Sequence, residues 1–201
     1  DADFTAGSLG ATWQRGAWLV DQRVEYRTSD AAEKWGLAGG VHVEARENLG
    51  LLGSLRFART DNRTTGREAL GDVSLGLSWR PDDSPWTVLH RLSWRGEERT
   101  GGALPLSNWR IVNNLNVARM LGPRDQLSTL LGLRFNRDTI AGTRYESVSD
   151  NLALEWRHFW GSRWDAGLRG SSRHAWRDGV VDWSAGVTCG YKVLEDIWLS
   201  L

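Results

Sequence analysis

The chain of 201 residues carries 25 basic and 25 acidic side chains, so its net charge gives no sign of a nucleic-acid partner. Its mean hydropathy is -0.44, and no apolar run approaches the roughly 20 residues of a membrane-spanning helix. A single cysteine, Cys189, excludes an internal disulfide framework and a multi-cysteine metal site.

Apolar and polar residues alternate with period two, segment after segment. In one segment Trp35, Leu37 and Val41 lie on one face, while His42 and Glu44 lie on the other. The predicted strands, in chain order, are 4–15, 17–28, 34–46, 49–60, 70–80, 86–97, 107–120, 125–137, 147–159, 163–176, 180–192 and 196–201. Most exceed the roughly five or six residues of an average soluble strand and reach the roughly nine to eleven that a tilted membrane strand needs. The sequence therefore predicts an all-β fold, an antiparallel transmembrane up-and-down β-barrel.

The predicted connections alternate in length. Short ones fall at 15–16, 47–48, 81–85, 122–124, 160–162 and 194–195, and longer polar ones at 29–33, 61–69, 98–106 and 138–146. The segment 177–179 is short where a long one is expected. Tight turns at one end and longer loops at the other are typical of outer-membrane barrels.

Tryptophan is abundant, with 13 copies in the chain, and it prefers membrane–water interfaces. The sequence predicts an aromatic girdle of two belts, although a packed soluble core is the alternative. The belt beside the short turns contains Trp13, Trp18, Trp79, Trp86, Trp160, Trp164 and Trp198, and the belt beside the long loops contains Trp35, Trp94, Trp109, Trp176 and Trp183.

The face opposite the apolar one carries charges in the middle of the strands. In a membrane barrel such residues line the lumen, whereas a soluble barrel would leave them in bulk water. The predicted lumen-lining residues are Arg23, Glu25, His42, Glu44, Arg56, Asp72, Arg91, Arg95, Arg110, Arg134, Glu155, Arg157, Asp165, Arg169, Arg173 and Asp182. Arginine outnumbers the carboxylates in this set, which favours anionic solutes unless the arginines are all paired. We expect Leu75→Arg to impair membrane insertion and Ser74→Arg to be tolerated.

Catalytic and metal-binding patterns are weak. The four histidines are scattered, and no pattern of barrel lipases or proteases is present. The one constellation worth locating is His90 with Asn113 or Asn114 on the next strand. We expect no enzyme, no catalytic residues, no cofactor and no metal site.

Residues 1–201 are predicted to form a single transmembrane β-barrel domain, incomplete at one or both ends. Twelve strands are visible, and barrels normally have even strand numbers with both termini periplasmic. One further strand at each end would give about fourteen strands. Closure of twelve strands by the first and last segments is the alternative, and the abrupt final strand favours the larger number.

With these features the chain resembles a bacterial outer-membrane β-barrel of the porin-like kind. The ending Lys192-Val193-Leu194-Glu195-Asp196-Ile197-Trp198-Leu199-Ser200-Leu201 is similar to the penultimate hairpin of barrels that close large, multidomain surface proteins. The resemblance implies location in a Gram-negative outer membrane. It also implies assembly by the outer-membrane insertion machinery and contact with phospholipid or lipopolysaccharide.

Two functions follow as expectations. The first is a passive pore for small hydrophilic solutes with an Arg-rich lumen. The alternative is a plugged barrel that anchors or scaffolds a larger surface or envelope-spanning assembly, in contact with its other subunits or domains. A soluble β-sandwich is a third reading, against which strand length argues.

Overall fold

A computed structural model describes residues 3–101, 105–194 and 197–200, with only the backbone described at residues 194, 197, 198 and 200. Its strands are β1 (Phe4–Arg15), β2 (Trp18–Ser29), β3 (Ala32–Arg46), β4 (Leu49–Asn62), β5 (Gly66–Trp79), β6 (Trp86–Thr100), β7 (Leu106–Met120), β8 (Asp125–Ile140), β9 (Thr143–Trp160), β10 (Trp164–Ala175), β11 (Val180–Leu194) and β12 (Ile197–Ser200). The all-β prediction is confirmed. In these ranges no helix is long and apolar enough to cross a membrane.

The strands form one antiparallel sheet in which each strand pairs with its neighbours in sequence, from β1 to β12. The registers are continuous, apart from shifts at Glu44/Arg46 in β3 and Lys192/Leu194 in β11. Within the described residues β1 and β12 are not paired with each other, so the sheet is open. It is therefore a partial barrel with two free edges.

The connections between strands lie at two opposite ends of the sheet. We call the end with the connections 16–17, 47–48, 80–85, 121–124 and 161–163 the lower end. The connections 30–31, 63–65, 101–105, 141–142 and 176–179 form the upper end.

The predicted long loops 29–33, 61–69 and 138–146 are wrong, and the middle of the fourth, 98–106, lies outside the described residues. Most residues of the predicted loops 61–69 and 138–146 extend β4, β5, β8 and β9, leaving turns at 63–65 and 141–142. Ala141 (φ 50°) and Gly142 (φ 84°) both have the left-handed conformation of a type I′ hairpin turn. Backbone hydrogen bonds continue the ladder whatever the side chains are, whereas the apolar alternation stops earlier. The end of the alternation therefore marks the end of the apolar band and not the end of the strand.

The sheet has one polar and one apolar face, and the polar face is concave. Ser74, Ala118, Ala153 and Asp165 are buried, and the register places all four on the polar face. On the apolar face large side chains are widely exposed, such as Leu75 (56%). Side chains converge on a concave face and diverge on a convex one, so the apolar residues lie outside.

Candidate functional site

The charged residues predicted to line a lumen all share the polar face, because the registers pair them only with one another or with other residues of that face. The register of β4 to β7 makes one line of directly paired residues: Arg56 faces Asp72, Asp72 faces Arg95, and Arg95 faces Arg110. Two guanidinium groups on directly opposed residues repel each other in the absence of an anion. This line is therefore a site of concentrated positive charge.

We name five side chains the arginine cluster: Arg56, Arg91, Arg95, Arg110 and Arg134. All five are exposed on the concave face. Among the described residues none of them has a carboxylate oxygen within 4.0 Å, and Arg134 instead donates from Nε to Asn136 Oδ1 at 3.0 Å. Arginines without a salt bridge on this face are therefore concentrated in β4 to β8, and Arg169 and Arg173 on β10 add to them in the described residues.

The salt bridges of the concave face lie away from the arginine cluster. Arg23 contacts Glu25 at 2.8 Å, and Arg99 contacts Glu68 at 2.7 Å. Near the lower end Arg157 contacts Glu155 Oε1 at 2.8 Å, with Asp165 Oδ1 at 3.7 Å from its Nε. Asp165 is buried because Gly190, directly opposite, leaves room for its carboxylate: a Cβ at position 190 would lie 2.6 Å from Asp165 Oδ2.

An apolar groove interrupts the concave face below the arginine cluster, and the sequence analysis missed it. It has a volume of about 490 Å³ and includes Leu52, Leu89 and Leu130 around Gly76 and His42. Leu52 and Leu89 are each 50% exposed. The signal was present in the sequence, since these leucines occupy polar-phase positions of β4, β6 and β8.

The outward face carries a polar pair in its apolar band. His90 Nε2 lies 3.2 Å from Asn113 Oδ1, so the constellation noted in the sequence does form. The register places Leu115 opposite His90 and Leu92 opposite Asn113. No described hydrogen bond joins either residue to a serine, and the pair therefore has no nucleophile.

Two histidine–aspartate pairs that the sequence analysis did not find also lie on the outward face. His158 Nδ1 is 2.9 Å from Asp125 Oδ1, and His174 Nδ1 is 3.6 Å from Asp150 Oδ1. Each pair joins directly opposed residues of neighbouring strands, so it is visible only once the register is known. Within the described ranges no three of His, Cys, Asp and Glu gather in a way that could hold a metal ion.

Aromatic side chains collect towards both ends of the outward face. The register places every predicted girdle tryptophan inside a strand on the apolar face, apart from Trp198, whose side chain lies outside the described part. Trp176 directly follows β10. Trp35 packs on Phe57 and Trp109 on Phe135, each with 5.1 Å between ring centroids. At the lower end Trp164 packs on Tyr191 at 4.4 Å. That these rings meet a membrane interface stays a prediction.

Charged networks cover the strand extensions beyond the upper aromatic rings. The guanidinium groups of Arg67 and Arg59 hold the pKa of Asp61 below its usual value by hydrogen bonding to the carboxylate. Arg144 and Arg137 lower the pKa of Glu146 in the same way. Both carboxylates are thus stabilised as anions outside the apolar band.

Trp94 lies over a pair of glycines, which gives a test of the outward packing. Gly71 and Gly96 face each other across β5 and β6, and a Cβ would lie 2.8 Å from Trp94 Cζ3 at Gly71 and 2.7 Å from Trp94 Cζ2 at Gly96. We expect Gly96→Val to displace the indole and to destabilise the fold by about 1–3 kcal/mol. Thermal unfolding in detergent micelles measures this. Gly170→Val is the control, because nothing lies within 4 Å of a Cβ there, and equal melting of both variants would contradict the packing.

Comparisons of sequence find no matching family model and no matching curated protein. Comparisons of structure find outer-membrane β-barrels. The siderophore receptor PirA from Pseudomonas aeruginosa matches with a TM-score of 0.70 and 12% identity over 97% of this chain and 40% of its own. The alcaligin receptor FauA from Bordetella pertussis matches with a TM-score of 0.66 and 10% identity, covering 96% of this chain and 40% of its own. The outer membrane channel DcaP of Acinetobacter baumannii matches with a TM-score of 0.62 and 10% identity, covering 90% and 60%.

These likenesses confirm the predicted fold, that of a bacterial outer-membrane β-barrel, and they support the predicted location in a Gram-negative outer membrane. This chain spans 40% to 60% of the length of the three solved structures. The narrower resemblance to the barrels of multidomain surface proteins stays a prediction.

Proposed function

We propose that this sheet is part of the wall of an outer-membrane barrel that passes small hydrophilic anions through an arginine-lined lumen. The observation that carries the proposal is the arginine cluster, exposed on the concave face with no carboxylate within 4.0 Å in the described residues. Rings of arginine favour anions in pores, because fixed positive charge lowers the barrier to an anion and raises it for a cation. No catalytic step is part of the proposal.

Further strands pair with β1 and β12 in the membrane form that we propose. Lipid cannot satisfy the unpaired backbone groups of an open sheet edge, so only a closed barrel is stable there. The match to the receptor PirA covers 97% of this chain and 40% of the receptor. This match indicates that the curvature of the sheet suits a wide barrel. Wide barrels leave space for solute between their walls. The strand number of the closed barrel stays a prediction.

The proposed partners are membrane lipids. At its upper end the outward face carries Arg59, Arg67, Arg137 and Arg144. Arg137 and Arg144 share one carboxylate, Glu146, so this group keeps a net positive charge that suits the phosphates of phospholipid or lipopolysaccharide. Arg59 and Arg67 share Asp61, but Glu33 lies directly opposite Asp61 and balances their excess charge.

A specific observation favours the alternative, a plugged barrel that anchors or scaffolds a larger assembly. The groove around Leu52 and Leu89 leaves apolar surface on a face that would otherwise meet water. An inserted segment of a larger assembly would cover that surface. In this alternative the arginine cluster would bind acidic groups of the plug.

Conductance in a planar bilayer tests the proposal directly. We expect the inserted protein to give stable steps of current, with a reversal potential in a salt gradient that shows preference for anions. A clear cation preference would overturn the arginine-lined lumen. Insertion without current would favour the plugged alternative and overturn the proposal of an open pore.

A further inference from the structure

The polar pair of His90 and Asn113 lies where lipid would surround it. On β6 the outward positions run Trp86, Val88, His90, Leu92 and Trp94, so the histidine is midway between the lower and upper aromatic rings. At about 3.3 Å per residue along a tilted strand, lipid headgroups lie too far away to reach it. This inference rests on the proposed contact of the outward face with lipid.

The pair is left with unused hydrogen-bonding groups. For the observed contact, His90 Nε2–H donates to Asn113 Oδ1, which leaves His90 Nδ1 as an acceptor and Asn113 Nδ2 as a donor. The described residues provide no hydrogen bond to either atom. An amide donor without a partner in hydrocarbon is costly, so the site as it stands in one copy is incomplete.

The unused donor and acceptor of one copy are complementary to those of a second copy. One copy offers one acceptor and one donor, and a second copy turned by a two-fold axis offers the same two in the opposite order. Asn113 Nδ2–H of each copy would then donate to His90 Nδ1 of the other. The neighbouring outward residues Leu92 and Leu115 supply apolar contact around the axis.

We propose that the outward face of β6 and β7 is a two-fold interface between copies of this protein in the membrane, held by reciprocal Asn113–His90 hydrogen bonds. In the described strands Gln22, on β2, is a second amide at a mid-strand outward position, and it is exposed. Pairing of Gln22 with the His90–Asn113 pair of a second copy would give a head-to-tail ring. We favour the two-fold arrangement because both of its hydrogen bonds come from one patch.

Disulfide crosslinking in liposomes tests the interface. The native Cys189 is exposed on the outward face and is first replaced by serine. We expect Leu92→Cys, beside the axis, to form a crosslinked dimer several-fold more efficiently than Leu168→Cys, an exposed outward leucine on β10. Equal crosslinking at both positions would overturn the interface.

Two further variants in the Leu92→Cys background identify the groups responsible. Replacing His90 and Asn113 together by leucine should lower the crosslinked fraction on the order of tenfold, while Gln22→Leu leaves it unchanged. No change in the double variant, or an equal loss in Gln22→Leu, would overturn the two-fold arrangement. The heat-dependent mobility shift of a folded barrel is measured in parallel, so failed insertion is distinguished from failed association.

Discussion

Leu75→Arg should prevent or strongly reduce insertion of this protein into a bilayer. Leu75 is 56% exposed in the middle of β5, on the convex face with Leu77 and Val73. An arginine at the midplane of the lipid-facing surface costs about 2–4 kcal/mol, because a guanidinium group loses its hydration there. The measurement is the fraction that folds into liposomes, followed by the heat-dependent mobility shift and by protection from protease.

The control for this substitution comes from the structure and differs from the expectation drawn from the sequence. Ser74 was expected to tolerate arginine, but it is only 4% exposed and shares a hydrogen bond of 2.8 Å with Ser54. Leu52→Arg is the better match, since Leu52 is 50% exposed on the concave face and faces Gly76 beside Leu75. It should insert normally. Equal failure of both variants would show that the two faces are assigned wrongly.

Removal of charge from the arginine cluster should abolish the anion preference of the pore. The triple variant Arg91→Gln, Arg95→Gln, Arg110→Gln removes neighbouring positive charges from a short stretch of β6 and β7 while it leaves a polar side chain at each position. The Debye length is about 8 Å at physiological salt, so charges on the lumen wall act on an ion that passes close to them. The ratio of anion to cation permeability should therefore fall several-fold towards one, as measured by the reversal potential.

A matched variant removes the same charge from the outside. Arg59, Arg67 and Arg144 lie at the upper end of the outward face, and their joint replacement by glutamine should leave the reversal potential unchanged. A similar loss of selectivity in both triple variants would mean that net charge and not the lumen wall sets the preference. Unchanged selectivity in the first variant would show that the arginine cluster does not line the path of the ion.

Strand identity and facing could be predicted because period two is a local property. In β1 the predicted bounds 4–15 agree with Phe4–Arg15, and the predicted charged set falls on one face throughout. The extended upper ends of β8 and β9 were not predicted. The alternation of apolar residues depends on contact with lipid, whereas backbone pairing depends only on hydrogen bonds between strands. A strand that continues into water keeps its backbone hydrogen bonds to the neighbouring strands and loses the alternation of apolar and polar residues.

The pairs between strands required the register. Asp125 and His158 are 33 residues apart in the chain and 2.9 Å apart in space, and no local pattern connects them. The groove around Leu52 and Leu89 arises in the same way, from polar-phase leucines that the pleat brings together on different strands. His90 and Asn113 were noted only as candidates, and their contact depends on a diagonal offset across β6 and β7.

The sequence by itself determined the class of fold, the two faces and the aromatic positions, because successive side chains of a strand point to opposite sides whatever its neighbours are. Only the tertiary structure decided which charges meet. Arg99 contacts Glu68 across β5 and β6, while Arg95 faces Arg110 and has no carboxylate oxygen within 4.0 Å in the described residues. It also decided that the sheet curves with its polar face inward and leaves β1 and β12 unpaired with each other in the described residues. Register and curvature are set by contacts between residues far apart in the chain, which a local pattern does not encode.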